Sequence, residues 1–281
     1  MKPTAAGVAI IKPYYEEVSV DSSTKLKTIA AHLFAQRTSA APQSDLPPQL
    51  ALTSTEDSLA VQQLMIALNK GQVFGWKCLL PLDNGAIILA PILKPPQSFA
   101  QICTLYTEQN KARIEPEIAF VFAQNMPKQA SYSEAEIDHA VSDTHMALEL
   151  IQNRFSTAYQ ANHFAKLADG LSNQGVLLGP KINKQAAYDA AHITIAITQN
   201  NRCHSYLGKH PCGLAQTPIY WAVNYLAKCG ITLAAGQILI TGSYCGVIEL
   251  DTDVDTEIDY AGLGKYTVKF SGLTDNDITV F

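Results

Sequence analysis

Apolar residues recur at helical spacing early in the chain. Leu26, Ile29, Ala30, Leu33 and Phe34 form one stripe and predict a helix over 22–35. Pro42, Pro47 and Pro48 bar regular structure from Arg37 to Leu52, so a loop is expected there. Ser54, three residues before Asp57, reads as the start of a second helix with Ala60, Leu64, Met65 and Leu68 on its apolar face. Gly71 is placed to end that helix in the left-handed conformation. Two short helices of this kind make a layer, not an independent core.

From Val73 onward the period changes. Dense apolar runs at 73–80, 85–93 and 118–122 predict buried strands, and further strands are expected at 175–178, 192–198, 203–207, 237–241 and 265–270. Asn200-Asn201 fits a hairpin turn. Ser133 and Glu136 form a capping box, with Ile137, Ala140 and Val141 continuing the helix. A last helix has Thr217 as its N-cap, Pro218 at its first position and Gly230 past its end. The segment around Glu149 is ambiguous. A helix places Glu149 beside His145 and Gln152, whereas a strand places it on one face with Ala147 and Ile151. The fold class is α+β, with a mainly helical region over 1–72 ahead of a β-rich domain over 73–281.

Charge narrows the partners. The 281 residues carry 20 Lys+Arg against 25 Asp+Glu, a net charge of −5, and 47% are hydrophobic. That composition buries a core, and its acidic excess argues against nucleic acid or an anionic membrane as the main partner. Ala5 to Ile11 is briefly apolar but is followed by Lys12 and Pro13, too short for a secretory signal, and no run approaches the ~20 residues of a spanning helix. A soluble cytoplasmic protein is expected. Its six cysteines read as reduced thiols, and Cys203, His204, His210 and Cys212 are close in sequence but match no standard zinc spacing.

The candidate chemistry lies in Ile114-Glu115-Pro116-Glu117-Ile118-Ala119-Phe120. If extended, this segment puts Glu115 and Glu117 on one face beside an apolar run, where two carboxylates need a proton or a cation between them. An oxygen-rich site suits magnesium or manganese. The plain alternative is a solvated strand entry in which Pro116 avoids ladder pairing. Lys77, in Phe74-Gly75-Trp76-Lys77-Cys78-Leu79-Leu80, is either drawn into apolar surroundings or reaches out to solvent at a strand end. Asp169, Asn173 and Gln174 form a polar cluster just before a strand, a composition shared by sites and by turns.

Five blocks in order resemble the fumarylacetoacetate hydrolase superfamily, and within it the 2-keto-4-pentenoate hydratase family. They are Gly75-Trp76-Lys77; the Glu115–Glu117 segment; Ala147-Leu148-Glu149-Leu150-Ile151 followed by Arg154; Leu167-Ala168-Asp169 with Asn173 and Gly175; and the run from Trp221 through Thr241-Gly242-Ser243 to Phe270. The resemblance implies a β-rich catalytic fold with a small helical N-terminal part, and a homo-oligomeric enzyme acting on a small 2-oxo acid. It also implies Mg²⁺ or Mn²⁺ held by Glu115, Glu117 and Glu149, with Lys77 and Asp83 moving protons and Asp169, Asn173 and Ser243 binding substrate. The activity it implies is hydration of a 2-hydroxydienoate to a 4-hydroxy-2-oxo acid. Decarboxylation, C–C bond hydrolysis and ligand binding without turnover are the alternatives. Two departures stand out. The segment after Lys77 is short and lacks the family's acid before a tyrosine–glycine pair, leaving Asp83 as the substitute. Gly170 stands where the family often has asparagine.

Overall fold

The computed structural model describes residues 20–274, so Ala5–Ile11 lies outside the described residues. Helices α1 (Val20–Gln36) and α2 (Thr55–Leu68) pack against each other, joined by a loop with one 3₁₀ turn at Pro48–Leu50. The Ser54 hydroxyl accepts the Asp57 N–H at 3.1 Å, the capping bond expected from the sequence, and Gly71 has φ +75°. Their buried faces, with Leu26, Ile29, Leu33, Val61 and Met65, join the same contiguous core as Trp76, Phe120 and Leu148. The helical region thus shares one core with the strands.

The remaining elements in chain order are β1 (Gly75–Cys78), β2 (Leu89–Ile92), β3 (Gln97–Ser98), β4 (Cys103–Leu105), β5 (Lys111–Phe122), α3 (Glu134–Ala140), β6 (Val141–Ile151), α4 (His163–Ala168), β7 (Asn173–Ile182), α5 (Lys184–Tyr188), β8 (His192–Gln199), β9 (Arg202–Lys209), α6 (Thr217–Lys228), β10 (Ile238–Ile240), β11 (Ile248–Asp251), β12 (Asp255–Tyr260) and β13 (Gly264–Gly272). One sheet runs β2-β1-β10-β5-β6-β7-β3, with β11 paired to the first half of β5; the other runs β4-β13-β12-β8-β9. The architecture is α+β, as expected. Asn200 and Asn201, with φ +50° and +61°, make the hairpin turn between β8 and β9.

The first sheet curls until β2 approaches β7. Its concave face is filled by Ile92, Ala119, Ala147, Val176, Ile238 and Ile240, all fully or almost fully buried. Its other face, with Trp76, Ile118, Phe120 and Leu148, packs into the main core together with Ile258, Val268 and Phe270 of the second sheet. The Tyr260 hydroxyl ties the two sheets by donating to the Ala147 carbonyl at 2.8 Å. β1 meets β10 so closely that a Cβ on Gly75 would lie 2.1 Å from the Ile238 carbonyl oxygen, so glycine is required there.

Several boundaries differ from the sequence reading. Val141 opens β6 instead of extending α3, because its backbone turns to an extended conformation at the helix cap. Thr217 is already helical and Gln216 takes the cap position without a side-chain bond, leaving Pro218 to fix the start. Glu149 is in a strand, which resolves its ambiguity.

Candidate metal centre

Strand alternation builds the site. In β5, Glu115 and Glu117 share a face with Ala119; in β6, Glu149 shares one with Ala147; and Glu115 lies directly opposite Glu149 in the antiparallel ladder. Because Ala119 and Ala147 line the concave interior, the three glutamates must open onto that same face, at one end of it. Ligand atoms of Glu115, Glu117 and Glu149 all lie within 4.8 Å of one another. Lys77 enters from β1 on the same face, being paired with Ile240, and its Nζ is 2.7 Å from Glu149 Oε1. The same ammonium donates to the Leu171 carbonyl at 3.2 Å. Asn173 Nδ2 donates to Glu149 Oε1 at 2.9 Å, and the Gly242 N–H donates to Glu117 Oε2 at 2.6 Å.

The electrostatics call for a cation. Three carboxylates face one ammonium, so two negative charges would remain uncompensated if all were ionised. Burial, with repulsion from Glu149, pushes the Glu115 carboxyl up to about 7, against the pull of Lys77 and Arg113. Burial and the two neighbouring glutamates raise Glu117 well above the ordinary carboxylate range, and the Gly242 N–H only partly opposes this. For Lys77 burial alone would lower the pKa, but Glu149, Glu115 and Glu117 outweigh it and hold the ammonium above its ordinary value. Two buried acceptors, Glu149 Oε2 and Asn173 Oδ1, have no hydrogen-bond partner. A hard divalent ion fits these orphaned oxygens and the charge deficit, with Glu115, Glu117 and Glu149 as its carboxylate ligands.

Other candidate residues fall differently. Asp169 is 1% exposed and its carboxylate is bound by Arg154, with Nη2 at 2.8 Å and Nε at 3.0 Å. In this arrangement its carboxylate is engaged by Arg154. Ser243 donates to the Gly246 carbonyl and shapes its own turn, while its neighbour Gly242 supplies the contact to Glu117. Asp83 is exposed in the turn between β1 and β2 and joins none of the hydrogen bonds or ion pairs described for the site. Cys203 and His204 lie exposed on β9 while His210 is buried, and among the described residues the glutamates are the group gathered for a metal. The described cysteines are free thiols.

Sequence reasoning did not find the support around the loop 169–173. Arg37 donates to the carbonyls of Asp169 and Asn173 at 2.6 and 2.7 Å, and Arg154 reaches the same two carbonyls at 3.2 and 3.1 Å. Gly170 has φ +88° with Arg37 packed where a Cβ would point, which accounts for glycine at this departure from the family pattern. The only local signal was the polar cluster itself. The arginines come from 132 and 15 residues away in sequence.

A cavity of about 450 Å³ leads into the site between Lys77, Glu115, Leu171 and Ser172, with Arg113 and Lys166 on its wall. No helix among the described residues is long and apolar enough to cross a membrane.

No family model matches the chain. It is 28% identical over 166 residues to the 2-oxo-hept-4-ene-1,7-dioate hydratase of Escherichia coli, covering 56% of this chain and 61% of that enzyme's length. The 4-oxalocrotonate decarboxylase of Pseudomonas putida G7, complexed with calcium and acetate, superposes with a TM-score of 0.70 at 14% identity, covering 89% of this chain and 98% of the decarboxylase. The same decarboxylase complexed with magnesium and adipate gives a TM-score of 0.68 at 15% identity, with the same coverage. The fumarylacetoacetate hydrolase of Exiguobacterium antarcticum matches more loosely, with a TM-score of 0.48 at 14% identity over 72% of this chain and 76% of that one. The chain thus shares its fold with the 4-oxalocrotonate decarboxylase, and over 166 residues its sequence is similar to that of a hydratase.

Proposed function

We propose that the protein is a divalent-metal-dependent hydratase that converts a 2-hydroxydienoate or 2-oxo-enoate into a 4-hydroxy-2-oxo acid. The observation that carries this reading is the trio of glutamate carboxylates within 4.8 Å, with the Lys77 ammonium held against Glu149. Mg²⁺ or Mn²⁺ on Glu115, Glu117 and Glu149 would supply positive charge where negative charge grows on the oxygens of a 2-oxo acid. Lys77, held against Glu149, would donate a hydrogen bond or a proton towards the 2-oxo oxygen. Leu171 and Asn173 hold the lysine and Glu149 in place. Ile151, Phe155 and Val247 on the cavity wall offer apolar contact to the carbon chain. A homo-oligomer belongs to the same reading, and sedimentation of the full chain tests it.

The far wall bears on the substrate. Arg113 is paired with Glu108 at 2.8 Å, whereas Lys166 is exposed on α4. An acidic far end would meet both cations, in keeping with the dioate named for the hydratase and the adipate, a dicarboxylate, in the decarboxylase. Lys166→Glu is expected to raise KM about tenfold for a dioic substrate and to leave KM for a monoacid unchanged, as a charge reversal costing ~1.4 kcal/mol would. Steady-state kinetics on the two substrates check it.

One observation favours decarboxylation as a second reading. Asp83 is outside the site, and the titratable groups lining the described cavity are Lys77, Arg113, Glu115 and Lys166. Loss of CO₂ needs stabilised negative charge and a proton donor but no base to activate water. Products from a dienoate and from a 2-oxo-3-enedioate separate the two reactions. Lys77→Ala should lower turnover by 10²–10⁴-fold if the lysine transfers the proton; unchanged turnover would remove it from the mechanism.

Thermal unfolding with Mg²⁺ or Mn²⁺, with and without oxalate, tests the site directly. Ligand at a hundred times its dissociation constant adds about 2.7 kcal/mol, a rise of several degrees. Metal-dependent stabilisation by oxalate is the expected result, and no response to either would overturn the metal-enzyme reading.

A further inference from the structure

The segment joining α4 to β7 has an unusual backbone. Gly170, Leu171 and Ser172 have consecutive φ values of +88°, +55° and +63°. Leu171 and Ser172 carry side chains, and such residues hold the left-handed region only where surrounding contacts over-determine it. What this strained turn delivers is the Leu171 carbonyl to Lys77 and the Asn173 amide to Glu149.

Its two ends are fastened by a pair of buried arginines. Arg37, 5% exposed, donates one guanidinium nitrogen to the Asp169 carbonyl and another to the Asn173 carbonyl. Arg154, fully buried, donates to the same carbonyls and grips the Asp169 carboxylate with Nε and Nη2. A single carboxylate faces the two guanidiniums at this junction. Burying charge in that way is costly for stability alone, since desolvation opposes it and apolar packing would serve as well. The planar fork of arginine, however, bridges two carbonyl oxygens at a fixed spacing, which lysine cannot do.

We propose that Arg37 and Arg154, anchored by Asp169, are positioning residues: they hold the turn 170–172 in its left-handed form and so set the placement of Lys77 and Glu149. Arg37 follows directly on α1, so the N-terminal helices act on the site through it. Only the metal-binding arm of the test rests on the function proposed above.

The experiment compares the full chain with Arg37→Ala, Arg37→Lys and Leu33→Ala, the last being a core deletion in α1 that leaves the clamp untouched. Mn²⁺ affinity is read by calorimetry, and amide exchange of Leu171 and Asn173, whose N–H groups bond to Lys166 and Gly170, is read by hydrogen–deuterium exchange. Arg37→Ala is expected to weaken Mn²⁺ binding at least tenfold and to speed exchange at both amides. Leu33→Ala should change neither beyond its global destabilisation, and Arg37→Lys should fall between. Wild-type Mn²⁺ affinity and wild-type exchange in Arg37→Ala would overturn the proposal, as would equal losses in Leu33→Ala. If Arg37→Ala does not fold, Arg37→Lys decides on the same two readouts. If the wild type binds no Mn²⁺, the functional reading falls, and the exchange arm alone decides the clamp.

Discussion

Glu115 and Glu117 are legible as a pair because a strand needs only local alternation to bring i and i+2 together. Glu149 is less so: helical and extended readings of Ala147–Ile151 leave it in different company, and only its pairing opposite Glu115 settles which applies. The same residues set a pH dependence. The Glu115 carboxyl stands at about 7 when folded, against an ordinary value of 4.5. The folded metal-free protein therefore binds a proton more tightly than the unfolded chain between those values. The associated stability is present below about 4.5 and is lost as pH rises to about 7. A cation that keeps the carboxylate ionised cancels the loss, so stabilisation by Mg²⁺ should grow across that window, by roughly 2 kcal/mol after allowance for solvent screening. Unfolding midpoints with and without Mg²⁺ at pH 5, 6, 7 and 8 check this; a gap independent of pH would contradict it.

Among the elements, apolar strands are found from sequence and polar ones are missed. β11 and β12 alternate Glu249, Asp251, Asp255, Glu257 and Asp259 with buried Ile248, Leu250, Thr256, Ile258 and Tyr260, and such acid-rich stretches read as loop when only dense apolar runs are sought. The first half of β6 hides in the same way behind Ser142, Asp143 and His145. The prediction at this scale concerns β1. Gly75→Ala would force the added methyl against the Ile238 carbonyl and push β1 off β10, carrying Lys77 with it. A destabilisation of at least about 1–3 kcal/mol is expected, accompanied by weaker Mn²⁺ binding. Denaturant unfolding and calorimetry on one variant measure both, and a neutral result would show that the strands part without consequence.

At the scale of the molecule, the boundary near residue 72 marks a change of secondary structure and not of core. Leu26, Ile29 and Leu33 pack in one cluster with Trp76 and Phe120. Two short helices are too little for a core of their own, but hydrophobic periodicity does not say which strands they pack against. Removing residues 1–72 should expose that apolar surface and abolish cooperative unfolding of the remainder, measurable by calorimetry. A truncated chain with a sharp transition would mean that the strands fold alone.

The order of strands also constrains when the site can exist. Lys77 is made early, and its strand borders the glutamate-bearing strands only through β10, a segment of the chain far later than either. During synthesis β5 and β6 can pair and gather their three acids well before Ile238–Ile240 emerges. Over that interval the three carboxylates stand without the counter-charge of Lys77, a gap that a divalent cation would fill. The lysine would then join a centre that the cation had already helped to assemble.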